Sequence, residues 1–154
     1  MSLSKKILNK LILKNISVST AESCTGGLLA YNFIKNTDSS KVFKGGYITY
    51  SNEIKIKELK VKKVSLNKNG AVSYQVAEEM IEGLYKKNKT KLCLSTTGIA
   101  GPGGSTKNKP LGLIFIGIRI NKKNIVIKKN FKGTRIQIQK KCVIYILKYL
   151  DKLI

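Results

Sequence analysis

The chain has 154 residues, of which 42% are hydrophobic and 7% aromatic, which is enough for one domain with a packed core. It contains no histidine, and 30 Lys and Arg against 8 Asp and Glu give a formal net charge of +22. The missing histidine excludes Ser-His-Asp triads, Cys-His pairs and HExxH zinc sites. Any general base must therefore be Lys, Asp, Glu or Tyr.

The three cysteines, Cys24, Cys93 and Cys142, are odd in number and far apart, and no CxxC pair occurs. This spacing favours neither a zinc site nor a disulfide framework and is typical of a reducing cytosol. The chain also lacks an 18-residue apolar run and a signal-peptide pattern. We therefore expect a cytoplasmic protein without membrane contact.

The positive charge has two interpretations. A strongly basic small domain suggests nucleic acid binding, but 28 of the 30 basic residues are Lys and only Arg119 and Arg135 are Arg. Base readout and bidentate phosphate contacts favour Arg. Lys, Ile and Asn together make up 60 residues, and all three have A/T-rich codons. We favour compositional drift on a hydrated surface and expect no specific nucleic acid partner, whereas an anionic small molecule fits either interpretation.

The first half of the chain predicts alternating helices and strands. In chain order these are a helix over 3–14, a strand over 16–20, a helix over 28–35, a glycine-containing strand over 42–50, and a helix over about 53–59 capped by Asn52.

The second half continues the pattern. A helix capped by Ser73 is followed by a strand over 91–97, a Gly- and Pro-rich loop over 98–110, a hairpin of 111–120 and 124–131, and a helix over 134–152. Strands alternating with helices predict a single α/β domain over residues 1–154. We expect a three-layer α/β/α sandwich with a mixed, mostly parallel sheet, because the late hairpin adds antiparallel pairing.

Ser23 lies at a predicted strand-to-helix junction, Ala21-Glu22-Ser23-Cys24-Thr25-Gly26-Gly27. Its hydroxyl could project from the carboxyl edge of the sheet, where backbone N–H groups at the helix start could hold an oxyanion or a phosphate. The alternative is a plain N-cap for a helix over 24–35. Cys24 is another possible nucleophile, but without a histidine to activate it we expect it to pack as a small apolar side chain.

Lys55 is a candidate base. If Asn52 caps the helix, Lys55 lies in the first turn, where the helix dipole disfavours a charged lysine. Burial and the positive field of the chain would lower its pKa further. A neutral lysine can accept the proton of a serine hydroxyl, and Tyr50 could relay that proton or orient the lysine. The alternative is that Lys55 is one of 28 lysines on a hydrated surface.

A glycine-rich loop follows the predicted strand over 91–97, in the string TTGIAGPGG at 96–104. Loops of this form bring backbone N–H groups close to a phosphate or carboxylate. The loop is neither a Walker A loop nor a GxGxxG motif. A tight structural turn is the alternative.

Four segments resemble the C-terminal domain of the competence/damage-inducible protein CinA. They are TAESCTGGLLA (20–30), GGYITYSNEIK (45–55), GAVSYQVAEEM (70–80), and TGIAGPGG with KPLG (97–104 and 109–112). The resemblance runs in order over essentially the whole chain. Stand-alone versions of this domain act as nicotinamide-nucleotide amidases, and the length leads us to expect one, without the N-terminal nucleotide-pyrophosphatase domain of full-length CinA.

The resemblance implies hydrolysis of the carboxamide of nicotinamide mononucleotide (NMN) to nicotinate mononucleotide and ammonia, with no metal or organic cofactor. The serine, lysine and tyrosine of the family correspond to Ser23, Lys55 and Tyr50. The implied substrate-binding residues are Thr25, Gly26 and Gly27 in the serine turn, and Thr97, Gly98, Gly101, Gly103 and Gly104 in the glycine loop. Glu22 is expected to orient the serine turn. The habit of the family suggests a homodimer or larger homo-oligomer.

Three positions depart from the family pattern. Ser105 stands where the loop often has a third glycine, Thr134 where an acid is common, and Gln139 where an arginine is common. These changes concern phosphate recognition or subunit contacts rather than the Ser-Lys centre. They leave open an alternative, a catalytically weakened pyridine-nucleotide-binding or regulatory module of the same fold.

Overall fold

The computed structural model describes residues 1–154 as a five-stranded sheet with helices on both faces. The helices are α1 (Leu3–Leu13), α2 (Leu28–Ile34), α3 (Asn52–Leu59), α4 (Lys63–Asn69), α5 (Tyr74–Asn88) and α6 (Arg135–Leu153), with a short 3₁₀ turn at Ser39–Lys41. The strands are β1 (Val18–Glu22), β2 (Phe43–Ile48), β3 (Leu92–Gly98), β4 (Leu113–Ile120) and β5 (Lys123–Asn130). None of these helices combines the length and apolar character needed to span a membrane.

The strand order in the sheet is β2-β1-β3-β4-β5. β1 pairs in parallel with β2 and β3, while β4 is antiparallel to both β3 and β5. Four strands therefore run in one direction and β4 runs against them, which confirms the predicted mixed sheet. The β4–β5 connection is a two-residue loop in which Asn121 and Lys122 have φ of 52° and 62°. Positive φ at both central residues suits the twist of a tight hairpin.

Two apolar layers hold the sandwich together. One core of 21 buried residues lies between the sheet and α1, α2 and α6, and a second core of nine lies between the sheet and α3, α4 and α5. The side chains that periodicity placed on the inner faces of the last two long helices are all buried: Ala77, Met80, Ile81, Leu84, Val143, Ile146, Leu147 and Leu150. The three-layer α/β/α prediction is confirmed.

Several local predictions were wrong. Ser51, not Asn52, caps α3, because its side chain accepts a hydrogen bond from the N–H of Ile54. Ser23 is not a helix cap, since α2 begins only at Leu28 and its N-cap is Gly27, with φ of 100°. Helix α4 was not predicted, because its seven residues carry only one buried side chain, Leu66.

The topology brings three chain segments to one edge of the sheet. Because β1, β2 and β3 are parallel, their carboxyl ends lie side by side, and the segments 23–27, 49–51 and 99–104 follow directly from them. In open α/β sheets this edge is where ligands bind. It carries all three groups of residues that the sequence marked as candidates.

Candidate active site

Ser23 and Lys55 meet at this edge. The Nζ of Lys55 lies 3.1 Å from the Oγ of Ser23 and 3.0 Å from the backbone carbonyl oxygen of Tyr50. Ser23 is 8% exposed and Lys55 only 1%. Because burial deprives the ammonium group of hydration, the pKa of Lys55 falls from 10.5 to about 8. The structure thus places a hydroxyl beside an amine that loses its proton around pH 8.

No acidic side chain pairs with this lysine. The nearest acid along the serine turn, Glu22, is buried and accepts hydrogen bonds from the N–H groups of Leu29 and Ala30 and from the hydroxyl of Thr25. Its carboxylate therefore satisfies the free N–H groups at the start of α2. This is the orienting role that we expected for Glu22, and it leaves Lys55 without an ion-pair partner that would raise its pKa.

The serine turn leaves several backbone donors free. The N–H of Gly26 donates to the carbonyl of Ser23 at 3.2 Å, whereas the N–H groups of Cys24, Thr25 and Gly27 have no acceptor within the protein. Cys24 lines the cavity at this edge, but Thr25, Gly26 and Gly27 do not. The hydroxyl of Thr25 is buried against Glu22 and Thr96. These three residues shape the turn, and a ligand could reach them only through the backbone.

Cys24 does not compete with Ser23. Its side chain is 4% exposed, and burial raises the pKa of the thiol to about 12. A thiol of this kind stays protonated and packs as an apolar group, as the sequence predicted. Cys93 and Cys142 are buried as well.

Tyr50 contributes through its backbone rather than through its phenol ring. Its carbonyl oxygen accepts the hydrogen bond from Lys55, while the side chain is 61% exposed. The phenol hydroxyl instead accepts a hydrogen bond from Nη2 of Arg135 at 3.2 Å. The predicted proton relay through the phenol has no direct hydrogen bond to Ser23 or Lys55 in this structure.

Arg135 is a site residue that the sequence reasoning missed. It is the first residue of α6, and its Nη1 donates to the carbonyl of Gly101 at 2.8 Å. A signal was present, because the chain keeps only two arginines among 30 basic residues. Both arginines use the planar guanidinium group. Arg119 donates a hydrogen bond to Asn124 and lies over the Tyr85 ring. Arg135 joins two loops of the site through its hydrogen bonds to Gly101 and Tyr50.

The glycine loop forms one wall of a cavity of about 240 Å³. Of the predicted residues, those that line this cavity together with Ser23, Tyr50 and Lys55 are Thr97, Gly98, Gly101, Gly103 and Gly104. Their roles differ. A Cβ at Gly98 would lie 2.6 Å from the carbonyl oxygen of Leu113, so strand packing requires that glycine, whereas a Cβ at Gly103 would meet nothing within 4 Å.

Comparison with known proteins identifies the family. The CinA C-terminal domain model matches residues 1–154. The chain belongs to this family. A CinA superfamily protein from Escherichia coli has the same fold, with a TM-score of 0.95, 30% identity, and coverage of 99% of this chain and 88% of the other. A competence/damage-inducible protein from Agrobacterium tumefaciens gives a TM-score of 0.94 at 33% identity, covering 98% and 93% of the two chains.

Sequence relatives within the CinA family are longer than this chain. A competence-damage inducible protein of Clostridium botulinum is 52% identical over 134 residues, which is 87% of this chain and 33% of that protein. A CinA-like protein of Fusobacterium nucleatum is 48% identical over 141 residues, or 92% of this chain and 34% of that protein. The chain therefore spans about a third of the length of these curated relatives.

The three departures from the CinA family pattern have distinct structural places. Ser105 is exposed and does not line the cavity. Thr134 caps α6, accepting a hydrogen bond from the N–H of Gln137 in a capping box. Gln139 donates from Nε2 to the backbone carbonyl of Cys24 at 3.0 Å. Thr134 thus supplies the cap that an acidic residue would also supply, and Gln139 contacts the serine turn.

Proposed function

We propose that the protein is an amidohydrolase that converts NMN to nicotinate mononucleotide and ammonia through Ser23 and Lys55. The observation that carries the proposal is the buried Ser23–Lys55 contact of 3.1 Å, with the pKa of Lys55 lowered to about 8. A serine hydroxyl is a weak nucleophile until an adjacent base takes its proton. The chain has no histidine, and Lys55 occupies the position of that base. The substrate is the one that the CinA resemblance implies.

In the first half of the reaction, neutral Lys55 accepts the proton of Ser23 while the Oγ attacks the carboxamide carbon. The carbonyl oxygen becomes an oxyanion, and the unpaired N–H of Cys24, a residue that lines the cavity, is the donor available to it. The C–N bond then breaks, and Lys55 returns its proton to the departing nitrogen. Ammonia leaves, and the acyl group remains on Ser23 as an ester.

The second half of the reaction repeats these steps with water as the attacking group. Lys55 takes a proton from a water molecule, whose oxygen attacks the ester carbon. The same N–H of Cys24 faces the oxyanion, and Ser23 leaves with the proton held by Lys55. The carbonyl of Tyr50 accepts a hydrogen bond from the amine at 3.0 Å. This contact fixes the orientation of the amine. Its lone pair and its second N–H can then face Ser23 and the substrate.

The anionic part of the substrate fits Arg135. Two cationic side chains line the cavity, Lys55 and Arg135, and the first is buried beside the nucleophile. Arg135 uses one N–H for Gly101 and one for Tyr50, which leaves three of its five donors for a phosphate. The net charge of +22 would also attract an anionic nucleotide.

The experiment incubates purified protein with NMN and measures ammonia and nicotinate mononucleotide. We expect both products in equal amounts from the wild type, and neither from Ser23→Ala. Saturable binding of NMN without turnover would instead support the nucleotide-binding or regulatory alternative. Turnover that persists in Ser23→Ala would refute the Ser-Lys mechanism.

A further inference from the structure

Gln139 links α6 to the turn that follows the nucleophile. Its side-chain amide is part-buried in the second turn of α6 and donates to the carbonyl of Cys24 at 3.0 Å. Arg135 lies one turn earlier and donates to the carbonyl of Gly101. The start of α6 therefore contacts two different walls of the site.

The contact with Gln139 fixes the plane of one particular peptide. The carbonyl of Cys24 and the N–H of Thr25 belong to the same trans peptide and point in opposite directions. Because Gln139 holds the carbonyl, the N–H of Thr25 faces away from α6, and it has no acceptor within the protein. The preceding peptide, between Ser23 and Cys24, is held in the same manner, because its carbonyl accepts a hydrogen bond from the N–H of Gly26. The N–H of this peptide, on Cys24, has no acceptor within the protein.

We propose that Gln139 is a positioning residue, which fixes the turn after Ser23 so that the unpaired N–H of Cys24, a residue that lines the cavity, faces the oxyanion formed during attack by Ser23. This inference rests on the proposed function, because an oxyanion forms only if Ser23 acts as an activated nucleophile. Preorganised backbone donors stabilise an oxyanion because they need no reorientation at the moment of reaction. A free peptide flip at this turn would remove that advantage.

A purely structural role accounts for the contact less well. Helix α6 already buries six side chains in the larger core: Ile138, Cys142, Val143, Ile146, Leu147 and Leu150. The helix therefore stays docked without one further hydrogen bond at its start. The Cys24–Thr25 peptide has no other hydrogen bond, so its orientation depends on Gln139 far more than the position of α6 does.

The test compares Gln139→Met, which keeps the length of the side chain but loses the donor, with Gln139→Arg, which keeps a donor. Lys140→Met, an exposed and unpaired position on the same helix, is the matched control. We expect Gln139→Met to lower kcat for NMN about tenfold to a hundredfold, as misplaced catalytic groups do. We expect KM to stay within twofold of the wild-type value and the midpoint of the pH profile within one unit. The thermal midpoint should fall by no more than about 4 degrees, the effect of one lost hydrogen bond. Gln139→Arg should recover most of kcat.

A second readout separates this inference from the choice of substrate. An alkyl fluorophosphonate reacts with an activated serine: the Oγ–P bond forms, the P–F bond breaks, fluoride leaves, and Lys55 takes the hydroxyl proton. The phosphoryl oxygen gains charge as the oxyanion does. If the wild type is labelled at Ser23 without hydrolysing NMN, the proposed function fails, and the slower labelling expected of Gln139→Met still tests the inference. Wild-type rates in Gln139→Met, or no labelling of the wild type, would overturn it.

Discussion

Lys55 Nζ lies 3.1 Å from Ser23 Oγ, although 32 residues separate them along the chain. The contact arises because Ser23 follows β1 and Lys55 lies in the helix that follows β2, and these two strands are parallel neighbours. The amine is buried without an acidic partner, so the same burial that holds it against the serine lowers its pKa to about 8.

Lys55→Arg removes activity while keeping the positive charge. A guanidinium group stays protonated in proteins and cannot accept the proton of Ser23. We expect kcat for NMN to fall by about a thousandfold or more, as in other enzymes that lose a catalytic base. Ammonia release measures the effect, and Lys57→Arg, an exposed position on the same helix, is the control. Residual activity within tenfold of the wild type would exclude Lys55 as the base.

The pH profile of kcat/KM for NMN rises with a midpoint near the pKa of Lys55 in the free protein, about 8. Only the neutral amine accepts a proton, so activity is low where Lys55 is charged and increases as pH passes through that value. At pH 7 about a tenth of the molecules hold the neutral amine, because a difference of one pH unit is a tenfold ratio. Steady-state kinetics between pH 6 and 10 measure the midpoint. A flat profile over that range contradicts the prediction.

Lys55→Met raises the stability of the fold at pH 7. The folded-state pKa of Lys55 lies below its ordinary value of 10.5, so the charged form is penalised in the folded protein. The shift corresponds to roughly 3 kcal/mol, from which the loss of two hydrogen bonds subtracts about 1 kcal/mol each. We expect a gain of about 1 kcal/mol in the free energy of unfolding, measured by urea titration.

The same pKa shift sets the pH dependence of that gain. Below about pH 8 the wild type carries the full penalty, because Lys55 is charged in both the folded and unfolded states. Between about pH 8 and 10.5 the unfolded state binds more protons, so the wild type gains stability as pH rises. The advantage of Lys55→Met must therefore shrink over this interval. An advantage that grows with pH would show that the penalty has another origin.

Arg135→Met weakens the binding of a phosphate-bearing substrate. Charge-assisted hydrogen bonds contribute about 1.5–3 kcal/mol, so we expect KM for NMN to rise roughly tenfold to a hundredfold. Nicotinamide riboside, which has no phosphate, separates this effect from damage to the site: its kcat/KM should change by less than threefold. Arg119→Met, the other arginine, lies outside the cavity and serves as the control. Equal losses of kcat/KM for both substrates would contradict the assignment of Arg135 to the phosphate.

Gly98→Ala destabilises the sheet, whereas Gly103→Ala does not. The added Cβ at Gly98 would lie 2.6 Å from the carbonyl oxygen of Leu113, while at Gly103 the space within 4 Å is empty. Overpacking against backbone costs about 1–3 kcal/mol, which thermal unfolding would detect. Similar midpoints for the two variants would show that β4 moves to accommodate the methyl group.

Much of the architecture was accessible from the sequence. Periodicity located the inner faces of α5 and α6, and the parallel order followed from alternating strands and helices. The serine turn and the glycine loop stood out because small residues cluster where strands end. Short elements were less accessible: α4 buries one side chain, Leu66, and the position of the α3 cap depended on a choice between the adjacent residues Ser51 and Asn52.

The sequence by itself determined the layered fold and excluded histidine chemistry. It also named Ser23 and Lys55, through motifs whose residues are close in the chain. Only the tertiary structure decided which of 28 lysines loses its hydration, because burial depends on how α3 packs beside the serine turn. It also brought Arg135 to Gly101 and Tyr50 across 34 and 85 positions, and Gln139 to Cys24 across 115. Local propensity carries no information about such contacts, which form only when α6 docks on the finished sheet.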